Sequence, residues 1–354
     1  MNAPGGDPTL APSGSVRDIF LENSYGQLTL NSTVAYWVTL PNTEAYYANG
    51  NSGLTTRTHE ALRSALDTLN ADPNINFTDF DSDSDGKIDA ITFLHSGYAA
   101  EFGGTSADGA NFTDRMWSHK WGISGGWTSA EGVSVSNYHI SPAIWGTSGN
   151  TIGRIGVICH ETGHFLGLPD LYDGNDSDGD GRSGSGIGSY GLMANPWGFD
   201  GSQYNPPHMS VWSKAQLGWM NPTVIDSPGT YTLTQAETSA SSYRINLGYS
   251  IGEYLLIENR QPVGSDRTMP QGGLTIFHID ESVGYTTEGY LGQIGWPTNG
   301  NHYRVALLQA DGAYDLERGG DRGDRNDVYH AGGVSEINPS TTPSTNGYQG
   351  GARL

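Results

Sequence analysis

His160-Glu161-Thr162-Gly163-His164-Phe165-Leu166-Gly167-Leu168-Pro169-Asp170 reads H-E-x-x-H-x-x-G-x-x-D. Histidines at i and i+4 share one helical face with Cβ atoms about 5–6 Å apart, so two imidazoles can reach one ion. Ile152, Ile155 and Cys159 supply an apolar stripe ahead of them. The predicted helix is capped by Thr151 and runs to about Leu166, with Gly167 ending it. Glu161 lies one position along, where it is badly placed to share the ion but well placed to hold a polarised water. Gly167 can take positive φ and turn the chain sharply, which swings Asp170 back as a third ligand. A carboxylate is a competent oxygen ligand for Zn²⁺ at about 2.0–2.2 Å, with a shorter arm than histidine. The alternative is that Asp170 is a turn residue after Pro169 and a distant Glu completes the shell. Cys159 points about 100° away from the metal-facing side and reads as core.

Downstream, Ser189-Tyr190-Gly191-Leu192-Met193 resembles the methionine turn that underlies the metal in metzincins, with Met193 as an apolar floor that does not ligate. Asp81, Asp83, Asp85, Gly86 and Asp89 fall on positions 1, 3, 5, 6 and 9 of an EF-hand calcium loop, and Lys87 offers a backbone carbonyl. Thr92 stands where the bidentate Glu belongs and a strand is predicted to follow, so the loop reads as a structural calcium site. Asp176, Asp178 and Asp180 form a second, less complete candidate for Ca²⁺. Asp311, Asp315, Glu317, Asp321, Asp324 and Asp327 read as a solvated acidic face.

Composition bounds the partners. In 354 residues, 17 Lys and Arg stand against 38 Asp and Glu, a net charge of -21, which repels nucleic acid and anionic membranes. The 9 Trp, 19 Tyr and 9 Phe supply enough apolar surface for a folded core. A single cysteine precludes an intrachain disulfide. No apolar run reaches the ~18–20 residues of a membrane helix. Residues 1–14 read as a flexible arm, 15–225 as a catalytic domain and 226–354 as a β-rich C-terminal region. Strands are predicted at Val34–Leu40 and Ala90–His95, and helices at Arg57–Asn70 and Pro207–Gly218. Gly97–Asn150 reads as loops and short strands around a site. Further β runs are Thr230–Thr234, Tyr243–Leu247, Tyr254–Glu258, Leu274–Ile279 and Tyr303–Leu308.

Across nearly its whole length the chain resembles the immune inhibitor A-like secreted metallopeptidases. The matching stretches are Ser15–Asp18, Glu22–Gly26, the acidic loop at Asp81–Gly86, His160–Asp173, S-V-W-S-K-A-Q-L-G-W at Ser210–Trp219, Glu258–Gln261 and Gly273–Asp280. The resemblance implies an α+β, metzincin-like zincin catalytic domain, with a twisted sheet and an active-site helix, followed by a mainly β region. It also implies a secreted zinc endopeptidase with one catalytic Zn²⁺ and one or more structural Ca²⁺. Signal, pro-segment and further C-terminal domains would lie outside this sequence. The expected partners are protein or peptide substrates, without nucleic acid or membrane insertion, and the expected state is a monomer. Two rivals stay open: another zinc amidohydrolase or exopeptidase, and a non-catalytic calcium-dependent binding module, which has no need of Glu161.

Overall fold

Ser15 and Asp18 close a capping box at the start of helix α1 (Val16–Asn23). The Ser15 hydroxyl accepts from the Asp18 N–H, and the Asp18 carboxylate accepts from the Ser15 N–H at 2.7 Å. Two donors that a helix start leaves open are thereby satisfied. This computed structural model describes residues 2–174, 181 and 183–348. After α1 come α2 (Glu44–Ala48), α3 (Thr58–Asn70), β1 (Thr92–Tyr98), β2 (His119–Thr128), β3 (Ser134–Ile144) and α4 (Ile155–Phe165). Then follow α5 (Val211–Gln216), β4 (Thr223–Ile225), β5 (Tyr243–Ile245), β6 (Glu253–Arg260), β7 (Gly273–Asp280) and β8 (Val305–Leu307). These elements group into two units, Ser32–Phe165 and Met1–Asn31 with Leu166–Leu354.

The unit Ser32–Phe165 is built on a sheet of order β1-β3-β2, with β1 parallel and β2 antiparallel to β3. Phe93 stands opposite Ile140, and Trp121 opposite Tyr138. The apolar stripe of α3, Ala61, Leu62 and Leu66, joins Val135, Tyr138 and Ile140 in one core. Burying a leucine as fully as Leu66, at 0% exposure, contributes about 1.5–3 kcal/mol. Helix α4 contacts β2 and β3. Strand β1 is an edge of this sheet.

The unit formed by Met1–Asn31 and Leu166–Leu354 holds a five-stranded sheet of order β4-β5-β6-β7-β8. Its first pair is parallel and the others are antiparallel. Tyr254, Leu255 and Leu256 are buried in sequence, as are Ile276, Phe277 and His278. Unbroken burial means that both faces of these central strands are covered. The molecule is thus a mixed α/β protein.

Several expectations fail locally. Val34–Leu40 forms no strand, and Val34, Tyr36 and Trp37 are exposed. Its β-branched and aromatic composition acts only through cross-strand neighbours, and no ladder pairs with it. Thr230–Thr234 likewise lacks a strand, with pairing nearby reduced to a bridge between Gln235 and Asn259. Conversely, Gly97–Asn150 contains β2 and β3, which are long strands. Their alternation is hidden because the pairing register shifts between Gly122 and Trp127, where Gly125 and Gly126 take φ of 77° and 63°. Helix α4 begins at Ile155 because Ile152 bridges Ile144 and the Gly153 N–H donates to the Ala143 carbonyl. Thr151 therefore lies outside the helix and does not cap it.

Candidate metal centre

Helix α4 presents His160 and His164 one turn apart, with ring centroids 4.8 Å apart and planes at 86°. At its end Gly167 has φ of 90°, the left-handed turn expected of it. The chain then runs through Pro169 to Asp170. One nitrogen from each histidine and one carboxylate oxygen of Asp170 all lie within 4.8 Å of one another. Among the described residues this is the group that joins histidines to a carboxylate. Two imidazoles and one oxygen match the donor set of a three-ligand zinc site that keeps a coordination position for water. Glu161 is buried beside His160 on the same helix, at 7% exposure.

His139 is fully buried on β3, its Nε2 2.6 Å from the Ser141 hydroxyl and its Nδ1 3.3 Å from that of Thr92. Burial pushes its pKa well below the ordinary histidine value, and the nearby imidazoles of His119, His160 and His164 push the same way. A neutral His139 adds no charge to oppose a divalent ion. An isolated histidine on a strand has no ligand spacing, and His139 is bonded within the sheet. Cys159 is buried and unbridged, and burial pushes its thiol pKa up, in keeping with core.

The segment after Asp170 is pinned by the methionine turn. The Leu171 N–H donates to the Met193 carbonyl at 3.0 Å, and the Ile187 N–H to the Leu171 carbonyl at 3.2 Å. Gly186, at φ of 59°, lies so close to Leu171 that a Cβ would collide with its carbonyl. Met193 itself is buried, at 1% exposure. The 3-10 turn Gly188–Tyr190 is fixed from below, where the Tyr190 carbonyl accepts from Arg260 Nη1 at 3.0 Å. The Tyr190 hydroxyl donates to the Asp324 carbonyl at 2.7 Å, so it is engaged structurally. His208, downstream of this turn in the chain, is fully buried, with Nδ1 3.2 Å from Lys214 Nζ, so it is engaged in the core. Burial, then Lys214 and Arg260, push its pKa well down.

Two further carboxylate groups converge. Asp81, Asp83 and Asp85 each bring an oxygen within 4.8 Å of the others. Gly86, at φ of 80°, turns the loop, and its N–H and that of Asp85 both donate to the Asp81 carboxylate at 3.0 Å. Asp89 accepts from the Ser82 N–H but stands outside this group. The Lys87 ammonium pairs with Asp85 at 2.7 Å on the surface. Asp176, Asp178 and Asp180 lie outside the described residues. Asp311, Asp324 and Asp327 form the other group, and here the reading of a solvated face is corrected. Asp327 is buried, accepting from the Asp324 N–H and the Tyr190 hydroxyl, and Glu317 is buried beneath Gln309. Sequence order could not show that Tyr190 draws Asp327 inward.

A helix bearing H-E-x-x-H, with a carboxylate turned back toward its histidines, defines a metallopeptidase catalytic domain. The family pattern described as "Immune inhibitor A peptidase M6, catalytic domain" matches residues 8–220, and the chain belongs to this family. It is 29% identical over 237 residues to "Pre-pro-metalloprotease PrtV" of Vibrio cholerae serotype O1 (strain M66-2), covering 57% of this chain and 23% of that protein. It is also 29% identical over 201 residues to "Immune inhibitor A" of Bacillus thuringiensis subsp. alesti, covering 48% of this chain and 28% of the relative. The chain thus spans about a quarter of the length of these curated relatives. Among the described residues, no helix is long and apolar enough to cross a membrane.

Proposed function

We propose that this chain is a zinc-dependent endopeptidase, with His160, His164 and Asp170 holding the ion and Glu161 as general base. The observation that carries the reading is the convergence of the three donors from one continuous segment, with Glu161 on the same helix. A zinc ion there would polarise the scissile carbonyl and lower the pKa of its water toward about 7. The Glu161 carboxylate accepts a proton from the attacking water as the new C–O bond forms. It returns that proton to the leaving amine nitrogen as the C–N bond breaks, which leaves Glu161 ionised for the next turnover. Strand β1, an edge of its sheet, offers unpaired backbone groups to an extended substrate, and such pairing favours internal peptide bonds over chain ends. Met193 supports the site by holding Leu171, next to Asp170.

The loop of Asp81, Asp83 and Asp85 is proposed to hold a structural Ca²⁺, aided by the Lys87 carbonyl and Asp89, with a second calcium at Asp176, Asp178 and Asp180. Location outside the cell, a monomeric state and protein substrates complete the reading. The surplus of carboxylates supports the absence of nucleic-acid partners. An internally quenched peptide blocked at both ends tests the function: an endopeptidase cleaves it, whereas an exopeptidase or a calcium-binding module leaves it intact.

A further inference from the structure

Away from the metal centre, the unit containing the five-stranded sheet holds a cavity of about 260 Å³. Its walls include Trp296, Tyr314 and Tyr348, with Glu317, Thr341 and Asn346 among the polar groups. Trp296 stands at 77° to Tyr314, with centroids 6.3 Å apart, and at 72° to Tyr348, with centroids 5.7 Å apart. Aromatic rings meeting near right angles form the corner of a cage, and such cages hold cations against their negative π faces. The corner is rigid. Tyr348 is clamped between the imidazoles of His302, at 3.6 Å, and His278, at 4.2 Å. A Cβ at Gly289 would collide with Trp296 and with the Asn301 carbonyl, so the indole is seated against bare backbone.

The charges around the cavity are one-sided. Among the described residues, no Lys or Arg lines it. The two histidines beside Tyr348 each have a carboxylate of their own, His278 with Glu253 at 3.0 Å and His302 with Asp280 at 2.9 Å. Among the described residues Glu317 has no such partner: Gln309 donates a neutral amide hydrogen bond to it at 2.6 Å. The guanidinium of Arg318, the next residue in the chain, donates to the Leu291 carbonyl and covers the Tyr290 ring. Burial raises the Glu317 pKa to about 8; its own backbone N–H, Gln309 and Arg318 work against that rise, and Asp327 adds to it. A cation in the cavity would supply the missing charge.

We propose that this cavity binds an organic ammonium group, held against Trp296 and Tyr314 and neutralised by Glu317. The same chemistry is carried by a lysine side chain and by a choline head group. The lining's hydroxyl and amide groups at Thr341, Ser344 and Asn346 suit the polar atoms that either ligand carries next to its cation.

Calorimetric titration of the whole chain with Nα-acetyl-lysine methylamide and, separately, with choline tests this and tells the two sources apart. Saturable binding of at least one is expected, at least tenfold weaker in Glu317→Gln and in Gly289→Ala, with proteolysis of a blocked peptide unchanged. The Nε-acetylated lysine derivative, which has no charge, should not bind. In the wild-type protein at pH 7, binding should release a proton from Glu317, seen as a buffer-dependent heat that disappears near pH 9.5. This readout holds even if a variant fails to fold. Absence of saturable binding by both ammonium probes overturns the proposal. Equal affinity for the acetylated probe, equal binding by Glu317→Gln, or binding of glucose in place of the ammonium probes overturns it as well.

Discussion

Arg260 offers the sharpest test of what holds the larger unit together. Its side chain is fully buried and makes a set of charge-assisted bonds. Nε donates to Asp266 at 2.6 Å, Nη1 to the Tyr190 carbonyl at 3.0 Å and to Glu258 at 3.1 Å, and Nη2 to the His208 carbonyl at 3.3 Å. Glu258 is bound from its other side by Lys214 at 3.0 Å, also fully buried. Replacing Arg260 by Met keeps much of the volume but leaves the buried Asp266 carboxylate without its guanidinium, the His208 N–H still donating to it at 2.8 Å. Breaking one partner out of a buried pair costs about 3–5 kcal/mol, most of it the stranded charge. For a folding unit of roughly two hundred residues, each kcal/mol lowers Tm by about 2–4 °C. Arg260→Met should therefore lose on the order of 6–20 °C, measured by thermal unfolding and by urea midpoints. The double variant Arg260→Met/Asp266→Asn should recover part of that loss, because the two sites share one interaction. A loss under about 1 kcal/mol in the single variant, with no coupling in the double, would refute the reasoning and mean that solvent reaches these partners.

Asp170→Ala should lower zinc affinity by more than the about 10–100-fold that loss of an outer-shell partner brings; full zinc retention after dialysis against a chelator would remove Asp170 from the shell. Removing calcium should lower Tm, since an ion at a hundredfold excess over its Kd contributes about 2.7 kcal/mol. The variant Asp81→Asn/Asp83→Asn should no longer respond to a calcium-selective chelator, and an undiminished response would place the ion elsewhere. For pH, Glu317 has a folded-state pKa raised by burial to about 8. Its contribution is therefore full below the ordinary carboxylate value and is lost as pH rises through about 8. Between pH 5 and 8 that one proton is worth up to about 1.4 kcal/mol per pH unit. Glu317→Gln should flatten the fall of urea midpoints by this amount. Asp327, raised to about 7, and Glu237, raised to about 8, keep their share. An identical slope in both proteins would contradict the assignment.

The part of the site legible in sequence is the part that is local. His160, His164, Gly167 and Asp170 lie within one short segment whose spacing encodes helix, turn and return, and the structure brings the donor atoms of His160, His164 and Asp170 together. Asp81, Asp83 and Asp85 were legible for the same reason. Support from distant residues was not: nothing in the order of residues links Met193 to Leu171, or Arg260 to Tyr190, because those contacts are backbone carbonyls accepting across long stretches of chain. The same limit explains the fold. Helix α3 announces itself through the period of Ala61, Leu62 and Leu66, and β6 and β7 through dense apolar runs. Val34–Leu40 has the composition of a strand but lacks a partner, and β2 has partners but carries a glycine pair that breaks its alternation.

The central claim is that Glu161 moves the proton while His160, His164 and Asp170 hold zinc. Glu161→Gln keeps the side chain's size and removes its basicity, so the variant should fold, retain zinc and lose cleavage of the doubly blocked quenched peptide by about 10²–10⁴-fold. Cleavage at the wild-type rate by a zinc-loaded Glu161→Gln protein would contradict the account.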